Sequence, residues 1–233
     1  GSLGNNRLLG GDGNDFLDLS GRYSPSQDSR SFGNNTLIGG AGNDSLSASG
    51  SLGNNRLLGG DGNDFLDLSG RYSPSQDSRS SGNNTLEGGA GNDSLSASGS
   101  LGDNWLLGGD GNDYLTGGNG NDSLIGGSGN DTFVFNSFNE GIDTIYDFNA
   151  TTTNELIQVS AAGFGGGLSL GTLSANQFTL GASATTNQER FIYNTATGGL
   201  FFDLDGSASG FTQVQFAQLS AGLSVSKNNF VVV

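Results

Sequence analysis

An aspartate recurs at a fixed place behind a run of glycines. Residues 10–18 read GGDGNDFLD, 39–47 GGAGNDSLS, 59–67 GGDGNDFLD and 88–96 GGAGNDSLS. Residues 108–116 read GGDGNDYLT, 117–125 GGNGNDSLI and 126–134 GGSGNDTFV. All seven fit G-G-x-G-x-D-x-U-x, with U a large apolar residue. These types suit one kind of chemistry. A carboxylate is a hard oxygen donor, and so is a backbone carbonyl whose neighbours carry no side chain; both suit calcium. The first six residues of each unit read as a turn whose left-handed angles glycine permits. The x-U-x segment reads as a short strand with U pointing inward.

Other chemistries are poorly served. The chain has no Cys and no His, which removes zinc sites, thiol catalysis and the usual general base. It contains no GxSxG, HExxH or P-loop pattern, so catalysis within these residues is not expected. Net charge is −15, from 23 acids against 8 bases, which makes nucleic acid a poor partner. No apolar run approaches membrane-spanning length. Only 33% of residues are hydrophobic while 43 are Gly, so a large conventional core is not expected. Without disulfides, metal ions are the plausible staple.

The units belong to a longer period. Residues 1–49 recur as 50–98 with 47 of 49 positions identical, the changes being Phe32 to Ser81 and Ile38 to Glu87. A diverged third copy begins at Gly99, and such self-similarity is the mark of a solenoid. The inward residues are Leu8, Leu17, Leu37, Leu46, Leu57, Leu66, Leu86, Leu95, Leu106, Leu115, Leu124 and Phe133. Twelve half-coils make six coils, stacked at a strand spacing of about 4.8 Å.

The repeat resembles the RTX, or haemolysin-type, family over residues 1–134. The resemblance implies an all-β fold: a right-handed parallel β-roll over residues 1–135, followed by a small β-rich cap over residues 136–233. It also implies calcium between same-side turns of neighbouring coils. The candidate ligands are the side chains of Asp15, Asp44, Asp64, Asp93, Asp113 and Asp131. Backbone carbonyls complete the set: Gly10, Gly11, Asp12 and Gly13; Gly39, Gly40, Ala41 and Gly42; Gly59, Gly60, Asp61 and Gly62; Gly88, Gly89, Ala90 and Gly91; Gly108, Gly109, Asp110 and Gly111; and Gly126, Gly127, Ser128 and Gly129. Five ions would fill the five gaps, with one or two more near Asp122, Asp131 and Asp143. GIDTIYDF (141–148) is similar to the segment that closes the rolls of RTX proteases and lipases, so Asp143, paired with Asp122, and Asp147 are further candidates. Glu155 stands where those families often have another Asp. The FVVV end resembles the C-terminal signal of type I secretion substrates, which implies passage through a type I exporter and a secreted or surface location in a Gram-negative-type bacterium.

Alternate half-coils fall on opposite edges, and the edges differ. One carries the six Asp turns. The other carries Asn6, Asn35, Asn55, Asn84 and Asn104, with Asp122 the one full consensus turn. Asn amides can bond one another in a ladder and need no ion. Stacked carboxylates about 5 Å apart repel by roughly 1 kcal/mol in water and roughly 3 kcal/mol at an effective dielectric of 20. The Asp edge therefore needs cations. Insertions at 20–30 and 69–79 fall on the Asn edge and read as loops; Arg22-Tyr23 and Arg71-Tyr72 in them could meet a glycan or partner.

Two further expectations concern surfaces. RFIYN, GLFFDLDG, FTQVQFAQL and NNFVVV suggest an antiparallel cap, with Asp203-Leu204-Asp205-Gly206 a turn and residues 160–188 loop-like. The position after U on one sheet is Leu9, Ile38, Leu58, Glu87, Leu107 and Ile125, an apolar outward stripe that could meet the cap or a second copy. The leading functional expectation is a calcium-dependent folding and secretion module. A surface-layer or adhesive segment, and the end of a hydrolase with its catalytic domain upstream of Gly1, are the alternatives.

Overall fold

The computed structural model describes residues 4–19, 31, 33–69, 80–151 and 155–233. The chain coils as the spacing requires. Strands β1 (Arg7–Asp12), β3 (Thr36–Ala41), β5 (Arg56–Asp61), β7 (Thr85–Ala90), β9 (Trp105–Asp110) and β11 (Ser123–Ser128) stack in parallel. Between them run β2 (Phe16–Asp18), β4 (Ser45–Ser47), β6 (Phe65–Asp67), β8 (Ser94–Ser96), β10 (Tyr114–Thr116) and β12 (Thr132–Phe135), which stack in a second parallel sheet. The fold is a parallel β-roll of six coils.

Register follows the inward residues. Leu37 pairs with Leu57, Leu57 with Leu86 and Leu86 with Leu106 on one sheet, and Leu46, Leu66, Leu95 and Leu115 align on the other. Each of these leucines is fully buried, while Leu8 on the terminal strand is half-buried because no coil covers it. A one-residue slip would turn the whole column outward, so the leucines fix the register.

The two sheets are not alike. Strands after the Asn turns are six residues long and strands after the Asp turns are mostly three. The Gly-Gly pair expected in the Asp turn is instead the end of a strand, with Gly11 paired to Gly40 and Gly60 to Gly89. Close approach explains the glycine: a Cβ on Gly60 would run into the Gly40 carbonyl, and Gly60 has φ +122°.

The roll does not stop at Phe135. Strands β13 (Asp143–Ile145) and β14 (Leu156–Val159) form a seventh, looser coil. Beyond them come a short helix (Ala161–Phe164) and strands β15 (Gly171–Thr172), β16 (Phe178–Leu180), β17 (Phe191–Tyr193), β18 (Gly199–Phe202), β19 (Val214–Gln218) and β20 (Phe230–Val232). The cap was expected to be antiparallel, and it is mixed. β19 and β20 join β13 and β14 in parallel, whereas β18 runs antiparallel to β17 and β19. The reason lies in the template, since a roll strand at the end of a parallel sheet offers its edge groups to a strand of either direction. The region 160–188 contains a helix and two strands as well as loops. A phenylalanine cluster fills the cap: Phe164 meets Phe202 and Phe216 edge-on at 5.1 and 5.2 Å, and Phe191 lies 5.1 Å from Phe230.

The cap strands extend both sheets of the roll. Leu9 on the end strand is 58% exposed. Ile38, Leu58, Leu107 and Ile125 are half-buried, since register sets each beside its neighbours. Glu87 interrupts the stripe and is held by Arg56 at 2.8 Å. No helix among the described residues is long and apolar enough to cross a membrane.

Candidate metal centre

The Asp turns and the Asn turns share one hydrogen-bond scaffold. Along the Asp edge, the backbone N–H of Asp15 donates to Asp44 Oδ1, Asp44 to Asp64, Asp64 to Asp93, Asp93 to Asp113 and Asp113 to Asp131, at 2.7–2.9 Å. Along the other edge, Asn6 donates to Asn35 Oδ1, Asn35 to Asn55, Asn55 to Asn84, Asn84 to Asn104 and Asn104 to Asp122. In both rows Oδ1 ties one coil to the one before it.

The residue preceding each of these ties the coils in the opposite direction. Asn14 Oδ1 accepts from the Asn43 N–H, Asn43 from Asn63, Asn63 from Asn92, Asn92 from Asn112 and Asn112 from Asn130. The sequence reading passed over these residues. Their signal was present, because all seven units read G-N-D where the motif demands only G-x-D.

The second side-chain atom separates the edges. On the Asn edge it is Nδ2. Asn35, Asn55, Asn84 and Asn104 each donate Nδ2 to the glycine carbonyl two residues earlier, at 2.6–2.7 Å. The same atom reaches the next Oδ1, as in Asn55 to Asn84 at 2.9 Å. The amide fills the turn and satisfies its carbonyl.

On the Asp edge the second atom is Oδ2, which cannot donate. Oδ2 of Asp15, Asp44, Asp64, Asp93, Asp113 and Asp131 is buried without a hydrogen-bond partner, and so is Oδ2 of Asp122, the one carboxylate turn on the Asn edge. A buried charged oxygen without a partner is costly enough to demand a counter-ion or a proton. The surroundings fit an ion. A Cβ on Gly10, Gly39, Gly59, Gly88 or Gly108 would meet both the Oδ2 of its own turn and the carbonyl oxygen of the next coil's first glycine. Carboxylate and carbonyl oxygens thus face one cradle in each of the five gaps, kept open by a residue with no side chain. No three acidic side chains converge at one point among the described residues, so a cation here would be completed by carbonyls or water.

Burial loads the row with unfavourable charge. Desolvation raises the Asp93 carboxyl to about 6 and Asp113 to about 7, helped by the neighbouring aspartates and opposed by the backbone N–H bonds. Asp64 and Asp131 are pushed up for the same leading reason.

The C-terminal candidates separate. Asp143 joins Asp122, accepting its N–H at 3.0 Å, so the pair ends the Asn row with two carboxylates. Burial first, then the Asp122 charge, raises Asp143 to about 8. Asp147 lies elsewhere: its two oxygens accept from the N–H groups of Gly126 and Gly127, at 3.0 and 2.8 Å. It supplies the acceptors that a longer β13 would have offered there, since β13 ends at Ile145. Glu155 is buried beside Asp131 by the register of β12 and β14, and it accepts from Asn149 N–H at 2.6 Å. Asp203 Oδ1 accepts from Asp205 and Gly206 N–H, closing a turn. Arg22, Tyr23, Arg71 and Tyr72 lie outside the described residues.

Comparison with known proteins agrees with this geometry. The family model for the RTX calcium-binding nonapeptide repeat matches in four copies, over residues 1–21, 47–70, 80–100 and 98–133. No curated protein matches the chain. Among solved structures, an extracellular lipase, LipA from Serratia marcescens, aligns over all of this chain and 39% of its own, at 18% identity and a TM-score of 0.27. The chain therefore spans well under half of that lipase, and a score this low carries no argument about either.

Proposed function

The roll is built of RTX calcium-binding nonapeptide repeats, and from that premise we propose that this chain is a module folded by a one-sided row of calcium ions. Five ions would lie between the turns ending in Asp15, Asp44, Asp64, Asp93, Asp113 and Asp131, with one more at Asp122 and Asp143. The observation that carries this reading is the row of buried, unpartnered Oδ2 atoms facing glycine cradles. Oxygen donors of this kind suit calcium, and ions that bind only assembled turns convert binding energy into folding energy.

In this reading the module is exported through a type I system and folds outside the cell, where it caps or stabilises a larger secreted or surface protein. Extracellular calcium modules bind with dissociation constants of about 10⁻⁴–10⁻³ M, so the chain would stay unfolded before export and fold after it. The export information is assigned to the last segment, whose terminal run forms β20. Deleting residues after Ser174 should retain the chain inside a cell that has the cognate exporter, and unchanged export would count against this part. In this reading the chain does no chemistry of its own; a hydrolase domain upstream, or a surface-layer or adhesive role, would be supplied by the rest of a longer protein. The apolar stripe from the exposed Leu9 to the half-buried Ile125 is the surface by which two copies would associate. Leu9→Ser with Leu58→Ser should weaken any association seen by sedimentation while leaving calcium stoichiometry unchanged.

The direct test of the module is circular dichroism with calcium added to chelated protein. The reading expects the β signal to rise steeply in the millimolar range. The same signal in EGTA and in calcium would remove it.

A further inference from the structure

The outer face of the second sheet has a period of two coils. The residue before each buried leucine is Phe16 on β2, Phe65 on β6 and Tyr114 on β10, whereas Ser45 and Ser94 occupy the place on β4 and β8. Register sets all five in one row. The three rings stand out from the surface, 74%, 47% and 52% exposed, with a serine step between them. Successive rings are about 9.6 Å apart, two strand spacings. Large aromatic side chains seldom stay this exposed without a partner, and three in a regular row form a surface rather than a scatter.

The row has a chemical character. Asp18 and Asp67 stand two residues along on the same strands and the same face, with serines between. Strands β2, β4, β6, β8, β10 and β12 contain no Lys or Arg. These strands therefore disfavour anionic polymers, and the carboxylates, although Asp67 already accepts from Ser49 Oγ and the Ser69 N–H, have further lone pairs for hydroxyl or ammonium donors. The faces of aromatic rings carry negative quadrupole and attract the C–H-rich faces of other groups. In an extended chain of β-1,4-linked hexopyranoses, alternate sugars present the same face to one side. Two strand spacings lie close to that two-sugar repeat.

We propose that the Phe16–Phe65–Tyr114 row binds an extended β-1,4-linked polysaccharide of uncharged or amino-substituted hexoses. Its rings stack on every second sugar, and the acids and serines beside them accept from the hydroxyl or amino groups. Calcium enters only by holding the coils, and hence the rings, in register.

The test is calorimetric titration of the whole chain, folded in millimolar calcium, with cellohexaose, chitohexaose and its deacetylated form, the corresponding trimers, and an acidic oligogalacturonate. At least one hexamer should bind, its trimer about tenfold more weakly because it spans fewer rings, and the acidic chain not at all. Which hexamer binds identifies the sugar. The triple substitution Phe16→Ser, Phe65→Ser and Tyr114→Ser gives each odd coil the residue that even coils already carry. It should lower affinity about tenfold or more while the calcium midpoint of folding stays unchanged. If the triple variant folds poorly, Phe65→Ser alone should still weaken binding. Absence of binding by all three parent hexamers, equal binding of trimer and hexamer, or unchanged binding by a folded variant would each overturn the proposal. So would a dimer of the parent that the substitutions dissolve, because the rings would then meet a second copy.

Discussion

The two edges of the roll share one backbone path, one register and one Oδ1 ladder, and they part at a single side-chain atom. Where that atom is the Nδ2 of Asn55, it donates to Gly53 and Asn84, and the turn is complete within the protein. Where it is the Oδ2 of Asp64, it has no partner. The contrast shows how a solenoid can be self-sufficient along one side and dependent on its medium along the other. It also shows why dependence on the ion does not need a special fold. Exchanging an amide for a carboxylate in the same turn creates the demand, and the glycine beside it leaves the room.

The comparison breaks most completely when calcium is taken away. Chelation should abolish most of the roll's β signal, because the Asp edge cannot stand charged and the leucine columns are too thin to compensate. Amide exchange by mass spectrometry should find protection lost across β1–β12.

Swapping the distinguishing atom should come next. Asn55→Asp puts a carboxylate in a turn whose Gly53 carbonyl and neighbouring Asn84 then lose a donor. The expected cost is about 1–3 kcal/mol for each group left unsatisfied, read as a higher calcium midpoint for folding. Asp64→Asn is the opposite change. It should remove one or two ions from the stoichiometry by equilibrium dialysis and reduce the dependence of folding on calcium.

Acidification sharpens the contrast in the absence of calcium. The carboxyls of Asp93 and Asp113 stand at about 6 and about 7 in the folded chain against an ordinary value of 3.8. A group raised on folding holds its proton better in the folded state. Its stabilising effect is therefore full below pH about 4 and is lost as pH rises through 6 to 7. Calcium-free protein should regain part of its β signal on acidification through that window. With calcium present the direction reverses, since protons compete with the ion for Oδ2. A β signal in EGTA that falls on acidification over the same window would contradict the assignment.

Much of this is legible in the sequence. The nine-residue spacing gave the coils, the apolar U positions gave both leucine columns, and the alternation of Asp and Asn turns separated the edges. Less legible was anything set by contacts outside the period. Asp147 was a candidate with no partner named; β13 ends before it reaches Gly126, and the carboxylate accepts there from the N–H groups of Gly126 and Gly127. The parallel joining of β19 and β20 could not be read, because short β-rich segments carry no mark of direction. The Asn14 to Asn130 ladder was visible as an invariant letter and was passed over because the motif allows any residue there.

The smallest effect should come from the one charged difference between the long repeats. Glu87 pairs with Arg56 on the exposed face, where the first repeat has Ile38 near Arg7. Exposed pairs contribute about 0.2–1 kcal/mol, so Glu87→Ile should move the calcium midpoint only slightly.

The central claim is that calcium is bound along one edge. Anomalous diffraction from crystals of the whole chain grown in calcium would locate every ion. The account predicts five in line between Asp15 and Asp131, one at Asp122 and Asp143, and none beside Asn35, Asn55 or Asn84. Ions spaced equally along both edges, or an Asp row without them, would contradict it.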